Sequence, residues 1–329
     1  MKAILQKLYE HDKLNRAEAK QTLTEISQGA YNAAAIASFM TVYQMRPIAL
    51  AELEGFRDAL LELCVPFDVA GRETLDIVGT GGDYKDTFNI STLAAVVVAG
   101  AGYAVTKHGS YGSSSAVGSS NVLQTLGYEF TNDGDTLRRQ LDEANLCFLH
   151  APLFHPALKE VAPVRRELGV RTFFNMLGPL VNPVQPTHQL YGTSSRELSR
   201  MYQYMMQQSG RRFSIVYSLD GYDEISLTGK FKVQTNEGEL VLEPEDLQQP
   251  RLLQADLFSG GTAESAAQIF MNVLNDEATP AQKAVVTVNA GLAIKTMKPD
   301  TTFFACVEEA RESLESKRAL NNFKKLING

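Results

Sequence analysis

The sequence contains few cysteines and no long apolar run. Its three cysteines, Cys64, Cys147 and Cys306, lie far apart in apolar surroundings and lack paired metal-ligand spacing, so we expect reduced core residues. No apolar run reaches the roughly 18 residues of a membrane span. The segment 1–16 lacks the basic, apolar and small-residue regions of a signal peptide. We therefore expect a soluble, cytoplasmic protein with no membrane partner.

An excess of positive charge is also absent. The 329 residues include 31 Lys and Arg against 38 Asp and Glu, which gives a net charge of -7. This balance opposes binding to nucleic acid, since a phosphate polymer is held by clustered positive charge, although a small anion can still bind at a local site. With 44% hydrophobic and 21% charged residues, the composition is that of a globular protein with one large domain or two unequal ones.

Residues 1–70 are predicted to form a small helical domain, because apolar residues recur three and four positions apart. Asn15 and Glu18 have the form of a capping box, a third helix begins near Asn32, and a fourth is expected over about 49–63. The apolar faces of these helices require a partner, either the rest of the chain or a second copy of it.

Beyond Gly71, short apolar runs alternate with longer helical stretches. The runs cover residues 75–78, 103–106, 147–149 and 213–218. Short strands separated by helices predict an α/β fold with a mainly parallel central sheet, and the segment 230–244 predicts an added antiparallel hairpin. We therefore expect an α/β domain over 71–329. Loops at the carboxyl ends of the strands are where a ligand should bind.

A glycine-rich loop follows the first predicted strand. Gly79, Gly81 and Gly82 allow the backbone to approach a ligand, while Ser91 and Thr92 lie where a helix begins, with free amides and the positive end of the helix dipole. The pattern favours a phosphate-binding loop. It is neither a P-loop nor a dinucleotide-binding fingerprint, and the alternative is an ordinary turn followed by a helix cap.

A second loop follows the next predicted strand. Lys107 and His108 precede a run of hydroxyls and glycines that extends to Asn121, which makes a surface suited to a second phosphate. The alternative interpretation is a solvated serine-rich connector.

Two adjacent acids follow the strand predicted at 213–218. Asp223 and Glu224 are hard oxygen ligands suited to Mg²⁺, which takes one or two carboxylates and shares its remaining positions with phosphates and water. The alternative is a pair of surface acids in a turn.

Three nearby arginines, Arg165, Arg166 and Arg171, are suited either to an anionic substrate or to surface ion pairs. On one helix, Arg165 and Arg171 would differ in direction by about 240°. At most one of them is therefore expected to point into a pocket unless the helix ends between them.

Taken together in this order, the strings GTGGD with TFNIST, KHG before a Ser/Gly loop, HPALKEVAPVRRELGVRTFFNMLGPLVNP and DGYDEIS resemble the anthranilate phosphoribosyltransferases, of the nucleoside phosphorylase-like class. The resemblance runs nearly end to end and includes the opening helices. It implies transfer of the phosphoribosyl group of 5-phosphoribosyl 1-pyrophosphate (PRPP) to the amine of anthranilate, with Mg²⁺, in tryptophan biosynthesis. It also implies that residues 71–329 form the PRPP-binding catalytic domain and that helices from about 156–180 join the N-terminal domain. A homodimer formed through the N-terminal helices is implied as well.

The resemblance assigns roles to residues of this chain. Those implied in substrate binding are Gly79, Gly82, Asp83, Thr87, Asn89, Ile90, Ser91, Thr92, Lys107, His108, Gly109, Ser110, Ser114, Ser115, Ser119, His155 and Arg165. Those implied in metal binding are Ser91, Asp223 and Glu224, and those implied in catalysis are Lys107, Arg165, Asp223 and Glu224. Arg165 matches the arginine that pairs with the carboxylate of anthranilate, and His108, His155 and Gly79 match residues that line its path.

The chain departs from the family pattern at Ser110 and Tyr111, where the common form has Asn and Arg. A serine hydroxyl lacks the two-ended reach of the amide, so the departure bears on the acceptor substrate more than on the reaction class. Two rival functions are a pyrimidine nucleoside phosphorylase, in which the acidic pair has no obvious role, and a non-catalytic nucleic-acid-binding relative, which the acidic net charge disfavours.

Overall fold

The computed structural model describes residues 1–112 and 117–328. Within them the α-helices are α1 Lys2–Tyr9, α2 Arg16–Ser27, α3 Ala33–Met45, α4 Leu50–Glu62, α5 Ile90–Gly100, α6 Ser119–Thr125, α7 Gly134–Ala144, α8 Ala151–Phe154, α9 Val161–Leu168, α10 Arg196–Gln207, α11 Ala263–Leu274, α12 Pro280–Met297, α13 Phe303–Glu315 and α14 Arg318–Asn328. The strands are β1 Leu75–Gly79, β2 Val105–Gly109, β3 Leu146–His150, β4 His188–Gly192, β5 Arg212–Ser218, β6 Phe231–Thr235 and β7 Gly238–Leu242. Of the helices in these ranges, none is long and apolar enough to cross a membrane.

The chain divides into two compact units. The helical unit consists of Met1–Phe67 and Ala151–Pro183, and the sheet unit consists of Asp68–His150 and Val184–Gly329. A segment from the middle of the sequence is thus part of the helical unit.

Helix starts in the helical unit follow from local hydrogen bonding. Asn15 Oδ1 accepts the Glu18 amide at 2.9 Å, and the Glu18 carboxylate accepts the Asn15 amide at 2.9 Å. This capping box begins α2 and stabilises it by about 1 kcal/mol. The core of the unit is aromatic: the Phe56 ring stacks on Phe173 at 4.7 Å between centroids and meets Phe39 edge-on at 5.9 Å.

The sheet unit contains a seven-stranded sheet, within the described residues, in the order β3-β2-β1-β4-β5-β6-β7. Strands β1 to β5 are parallel, while β6 and β7 form the predicted antiparallel hairpin at one edge. The predicted α/β fold is confirmed. Strand β4 was not predicted, because it begins with two polar residues, His188 and Gln189, and so shows no apolar run. Both residues are nevertheless buried.

Helix α5 lies in the core of the sheet unit. Its sequence ISTLAAVVVAG is buried on all sides from Thr92 to Gly100, as expected for a helix that is apolar all round. It contacts α12 and α14, and a side chain at Gly100 would collide with the backbone of Ala319 in α14. This packing fixes the start of α5 beside the end of β1.

Candidate active site

The candidate site lies at the carboxyl ends of the parallel strands. β1 and β4 end at Gly79 and Gly192, which are direct register partners. A Cβ on Gly79 would overlap the Asp223 carboxylate, and a Cβ on Gly192 would overlap the Asp223 backbone oxygen. Neither strand end carries a side chain, and Asp223 fills the space that this leaves beside them.

The loop between β1 and α5, which we call the first loop, is held by distant parts of the chain. It includes four residues with left-handed backbone: Gly81, Gly82, Tyr84 and Asp86. Concave turns of this kind can direct backbone amides at an anion. The Phe88 amide donates to Leu257 O at 2.9 Å, and the Ser259 amide donates to Asp86 O at 2.9 Å. The loop is thus attached to the segment before α11.

The start of α5 presents polar atoms that have no hydrogen-bond partner among the described residues. Asn89 Nδ2 donates to Val117 O at 3.3 Å, but Asn89 Oδ1 and Thr92 Oγ1 are buried and make no hydrogen bond within 1–112 and 117–328. Buried polar atoms are usually satisfied, so such exceptions call for an explanation. Together with the positive end of the α5 dipole, they suit an anionic, hydroxyl-bearing ligand.

The structure corrects the predicted start of the second loop. Lys107, His108 and Gly109 were placed in that loop, but they lie within β2, because this strand begins and ends later than its apolar residues indicate. Lys107 Nζ donates to Ile77 O at 2.5 Å. Burial lowers the pKa of Lys107, while the nearby Asp76 and Glu224 carboxylates act in the opposite direction.

The acidic pair is bound to the first loop and to α5. Asp223 Oδ2 accepts the Gly81 amide at 2.7 Å, and Glu224 Oε1 accepts the Ser91 amide at 3.2 Å. Burial, followed by the neighbouring charges of Asp223 and Asp83, raises the pKa of Glu224 well above its usual range. This crowding of acids favours a cation at the same place.

Mg²⁺ fits this donor set. In the described part of the chain, no three His, Cys, Asp or Glu side chains form a metal-binding group. A site for Mg²⁺ does not require one, because phosphates and water complete its coordination. Glu224 Oε2 is buried and accepts no hydrogen bond from any described residue, so it can take a metal ion without losing a partner.

The second loop, between β2 and α6, is closed at its base by the first turn of α6, in which Ser119, Ser120 and Asn121 lie although they were predicted within the loop. Ser110 O accepts the Ser120 amide at 3.1 Å. Asn121 Oδ1 accepts the Gly112 amide at 3.1 Å and the Gly118 amide at 2.9 Å. Two of the predicted substrate-binding residues, Ser114 and Ser115, lie outside the described residues.

Tyr111, where the chain departs from the family pattern, belongs to an aromatic group at the base of the second loop. Its ring meets His150 edge-on at 5.0 Å, and His150 stacks on Phe130 at 4.2 Å. At this position, where the common pattern has an arginine, the tyrosine therefore packs against the end of β3.

In the helical unit, Arg165 is half-buried. Its Nη2 donates to Asn175 Oδ1 at 3.3 Å, and its guanidinium lies 5.3 Å from the centre of the Phe174 ring. It makes no ion pair with any acid of the described residues, and burial lowers its pKa. Helix α9 ends at Leu168, before Arg171, so the two arginines are not constrained by a common helix.

Two further residues of the helical unit, Arg166 and His155, differ in their surroundings. Arg166 is exposed on α9. His155 is buried, with Nε2 placed 2.8 Å from Val181 O, and burial lowers its pKa to about 4. His155 is therefore uncharged at neutral pH.

The comparisons with known proteins cover the whole chain. A glycosyl transferase helical bundle domain matches residues 2–64, and a glycosyl transferase a/b domain matches residues 71–320. The chain is 56% identical to the anthranilate phosphoribosyltransferase of Cytophaga hutchinsonii, over 99% of this chain and 100% of that protein. The chain belongs to the anthranilate phosphoribosyltransferase family. The predicted family membership is confirmed.

Further members of the anthranilate phosphoribosyltransferase family are similar in sequence and structure. The protein of that name from Bacteroides thetaiotaomicron is 54% identical over 99% of this chain and 98% of its own. The crystal structure of the Thermus thermophilus enzyme matches with a TM-score of 0.91 at 32% identity, over 98% of each chain. The Saccharomyces cerevisiae enzyme in complex with PRPP and Mg matches with a TM-score of 0.89 at 27% identity, over 98% of this chain and 96% of its own.

Two residues at the site of this family member have no counterpart in the sequence analysis. Gly192 lies at the end of β4, where the run YGTSS, a glycine followed by hydroxyls, was the available signal. Asn289 contacts the acidic segment from α12, and it could have been noticed as a buried amide in the apolar run VVTVNAGLAI. Both roles depend on contacts between residues that are distant in sequence.

Proposed function

We propose that this chain transfers the phosphoribosyl group of PRPP to the amine of anthranilate and releases pyrophosphate, in tryptophan biosynthesis, with Mg²⁺. One observation carries the proposal: the two carboxylates of the acidic pair accept amides from Gly81 of the first loop and Ser91 of α5. Metal-binding and phosphate-binding groups thereby meet at one place, which suits a substrate that carries a pyrophosphate.

The proposed PRPP site is built from the first loop, the start of α5, β2 and the second loop. The residues assigned to it are Gly79, Gly82, Asp83, Thr87, Asn89, Ile90, Ser91, Thr92, Lys107, Gly109, Ser110 and Ser119. Amides and hydroxyls of these residues bind phosphate oxygens, while the dipole of α5 favours their negative charge.

Asp223 and Glu224, with Ser91, would hold the metal ion. Bound there, Mg²⁺ supplies positive charge that stabilises the departing pyrophosphate. Lys107, fixed by its hydrogen bond to Ile77 O, adds a second positive charge. This stabilisation matters because an aromatic amine is a weak nucleophile, and the residues act on the leaving group without forming a covalent intermediate.

Arg165 is proposed to bind the carboxylate of anthranilate, since its guanidinium has no acidic partner among the described residues. A carboxylate held by an arginine is fixed in direction, which orients the amine for attack. His155 and His108 are proposed to line the path of the acceptor, and the low pKa of His155 makes it an uncharged lining residue.

The overall reaction is tested by mixing the protein with anthranilate, PRPP and Mg²⁺ and following anthranilate fluorescence. We expect the signal to fall only when all three are present, and fluorescence should persist in the presence of a chelator. Constant fluorescence in the complete mixture would overturn the proposed acceptor.

The role of Arg165 is tested by Arg165→Ala. Loss of a charge-assisted carboxylate contact, worth about 2 kcal/mol, should raise the KM for anthranilate by roughly 30-fold with little change in the KM for PRPP. Arg166→Ala is the matched control, because Arg166 is exposed on the same helix. An unchanged anthranilate KM in Arg165→Ala would show that the carboxylate binds elsewhere.

A homodimer formed through the N-terminal helices and a cytoplasmic location are also proposed. At the ends of α1 and α3, Tyr9 and Met45 are 58% and 83% exposed. Large exposed apolar side chains of this kind are suited to a subunit contact. Light scattering after size-exclusion chromatography tests the dimer, and a monomer at micromolar concentration would contradict it.

A further inference from the structure

Asn289, in the middle of α12, uses its amide group to bind the backbone beside the acidic pair. Its Oδ1 accepts the Ile225 amide at 3.0 Å, and its Nδ2 donates to Ile225 O at 2.9 Å. Nδ2 also lies 2.9 Å from Val285 O, one turn earlier in the same helix. The side chain is 3% exposed and Ile225 is fully buried, so water does not compete for these contacts.

The Ile225 amide belongs to the peptide that joins it to Glu224, and the other end of that peptide is also held. Ser218, the last residue of β5, donates its hydroxyl to Glu224 O at 2.6 Å. Asn289 and Ser218 thus bind the N–H and the C=O of one peptide group. A peptide held at both ends has little freedom to rotate, so these two residues fix the backbone from which the Glu224 side chain extends.

Helix α12 is a rigid support for this contact. It has 18 residues, and its central positions from Val285 to Ile294 are buried. It packs against α5, whose first turn supplies the Ser91 amide to Glu224. The helix that holds the backbone of the acidic pair is therefore packed against the helix that contacts its side chain.

We infer that Asn289 is a positioning residue for the metal-binding carboxylates, an inference that rests on the proposed function of Asp223 and Glu224. Residues that orient the ligands of a metal commonly change its affinity by about 10- to 100-fold when they are replaced. The hydrogen bonds of Asn289 go to Ile225 and Val285, so it acts on the acidic pair through the Glu224–Ile225 peptide.

A matched control exists on the same helix. Thr296 is a buried polar residue of α12 whose Oγ1 lies 2.7 Å from Ser214 Oγ in β5. Its loss removes a buried hydrogen bond between α12 and β5 but leaves the Glu224–Ile225 peptide untouched. Thr296→Val therefore reports what a purely structural defect in α12 does to the protein.

The experiment compares the full-length wild type, Asn289→Leu, Asn289→Asp and Thr296→Val. Asn289→Leu removes every hydrogen bond to Ile225, whereas Asn289→Asp retains the oxygen that accepts the Ile225 amide. Two readouts are taken: the Mg²⁺ concentration for half-maximal rate, and Mn²⁺ binding in the presence of PRPP by electron paramagnetic resonance. The melting temperature shows that each variant is folded.

For Asn289→Leu we expect at least about a tenfold rise in the half-maximal Mg²⁺ concentration and a matching loss of Mn²⁺ affinity. The shift should be of similar size in Asn289→Asp, because a carboxylate oxygen in place of Nδ2 would face Ile225 O and Val285 O. It should be under about twofold in Thr296→Val, even where the melting temperature falls. If Asn289→Leu does not fold, Asn289→Asp decides by the same readouts.

Unchanged Mg²⁺ requirement and Mn²⁺ affinity in a folded Asn289 variant would overturn the inference. Equal shifts in Thr296→Val would do the same, since they would indicate a general loss of stability. The proposed function fails by a different result, namely a wild type that is inactive with anthranilate or that binds no Mn²⁺ with PRPP.

Discussion

The first and second loops follow neighbouring strands and share a composition of glycines and hydroxyls, yet they are held in different ways. The first loop is fixed from outside, by the acidic pair and by the segment that contains Leu257 and Ser259. The second loop is closed by Asn121, which lies at its own end. The first loop thus depends on residues distant in sequence. The second loop is closed by its neighbour Asn121, to which Tyr111 and Val117 add contacts with His150 and Asn89.

This difference separates two kinds of substrate interaction. The loop joined to the carboxylates lies where the metal and the departing pyrophosphate are expected, so a defect there should affect the rate of the reaction. A defect at the base of the second loop should affect only how well PRPP binds. Mutations that affect the first loop are therefore expected to lower kcat, and mutations at the base of the second loop are expected to raise the KM for PRPP.

The largest effect is expected from Asp223→Asn combined with Glu224→Gln. The amide oxygens can still accept the hydrogen bonds of Gly81 and Ser91, but the negative charges that hold the metal are lost. Loss of several kcal/mol of transition-state stabilisation should lower kcat by about 1,000-fold, with a far smaller effect on anthranilate binding. A fall of less than tenfold in steady-state kcat would contradict the metal-binding assignment.

A smaller loss is expected from Gly192→Ala. The new methyl group overlaps the backbone oxygen of Asp223, so the acidic segment must move, and misplacement by about 1 Å can lower a rate by roughly 100-fold. Gly229→Ala is the control, because its new methyl group would make only ordinary contacts, the nearest at 3.5 Å from Asp220 Oδ2. Equal kcat values for the two variants would show that the close approach of Gly192 to the Asp223 backbone does not affect the rate.

The smallest effect is expected from Asn121→Ala, which leaves the Gly112 and Gly118 amides without their acceptor. A loss of about 1.4 kcal/mol should raise the KM for PRPP by roughly tenfold and leave the Mg²⁺ requirement unchanged. Thr125→Ala, at an exposed position of α6, should behave as the wild type. A shift in the Mg²⁺ requirement of Asn121→Ala would show that the two loops are not independent.

Much of the fold could be predicted from the sequence because its signals are local. The capping box at Asn15 and the hairpin after β5 depend on neighbouring residues, and both are present. Strand β4 could not be predicted, since His188 and Gln189 are buried by other elements rather than by their own hydropathy. Likewise, β2 extends to Gly109 because it pairs with β3 along its whole length.

The site follows the same rule. The acidic pair and the glycine loop were recognisable as separate strings, and the comparisons confirm the family that those strings indicate. Their direct contact, and the part played by Gly192 and Asn289, depend on tertiary packing. The acidic pair and the glycine loop could thus be recognised in the sequence, whereas Gly192 and Asn289, which contact the acidic segment, could not.

The burial of α5 on all sides has a further consequence. A side chain that binds a phosphate can change rotamer as charge moves from the ribose to the leaving group, but a helix packed against α12 and α14 cannot follow it. The dipole at the start of α5 is therefore already oriented before the substrate arrives. In the proposed PRPP site, its contribution would need no reorganisation during the reaction and would be the same after pyrophosphate departs. We therefore expect release of that product to depend on parts of the site other than α5.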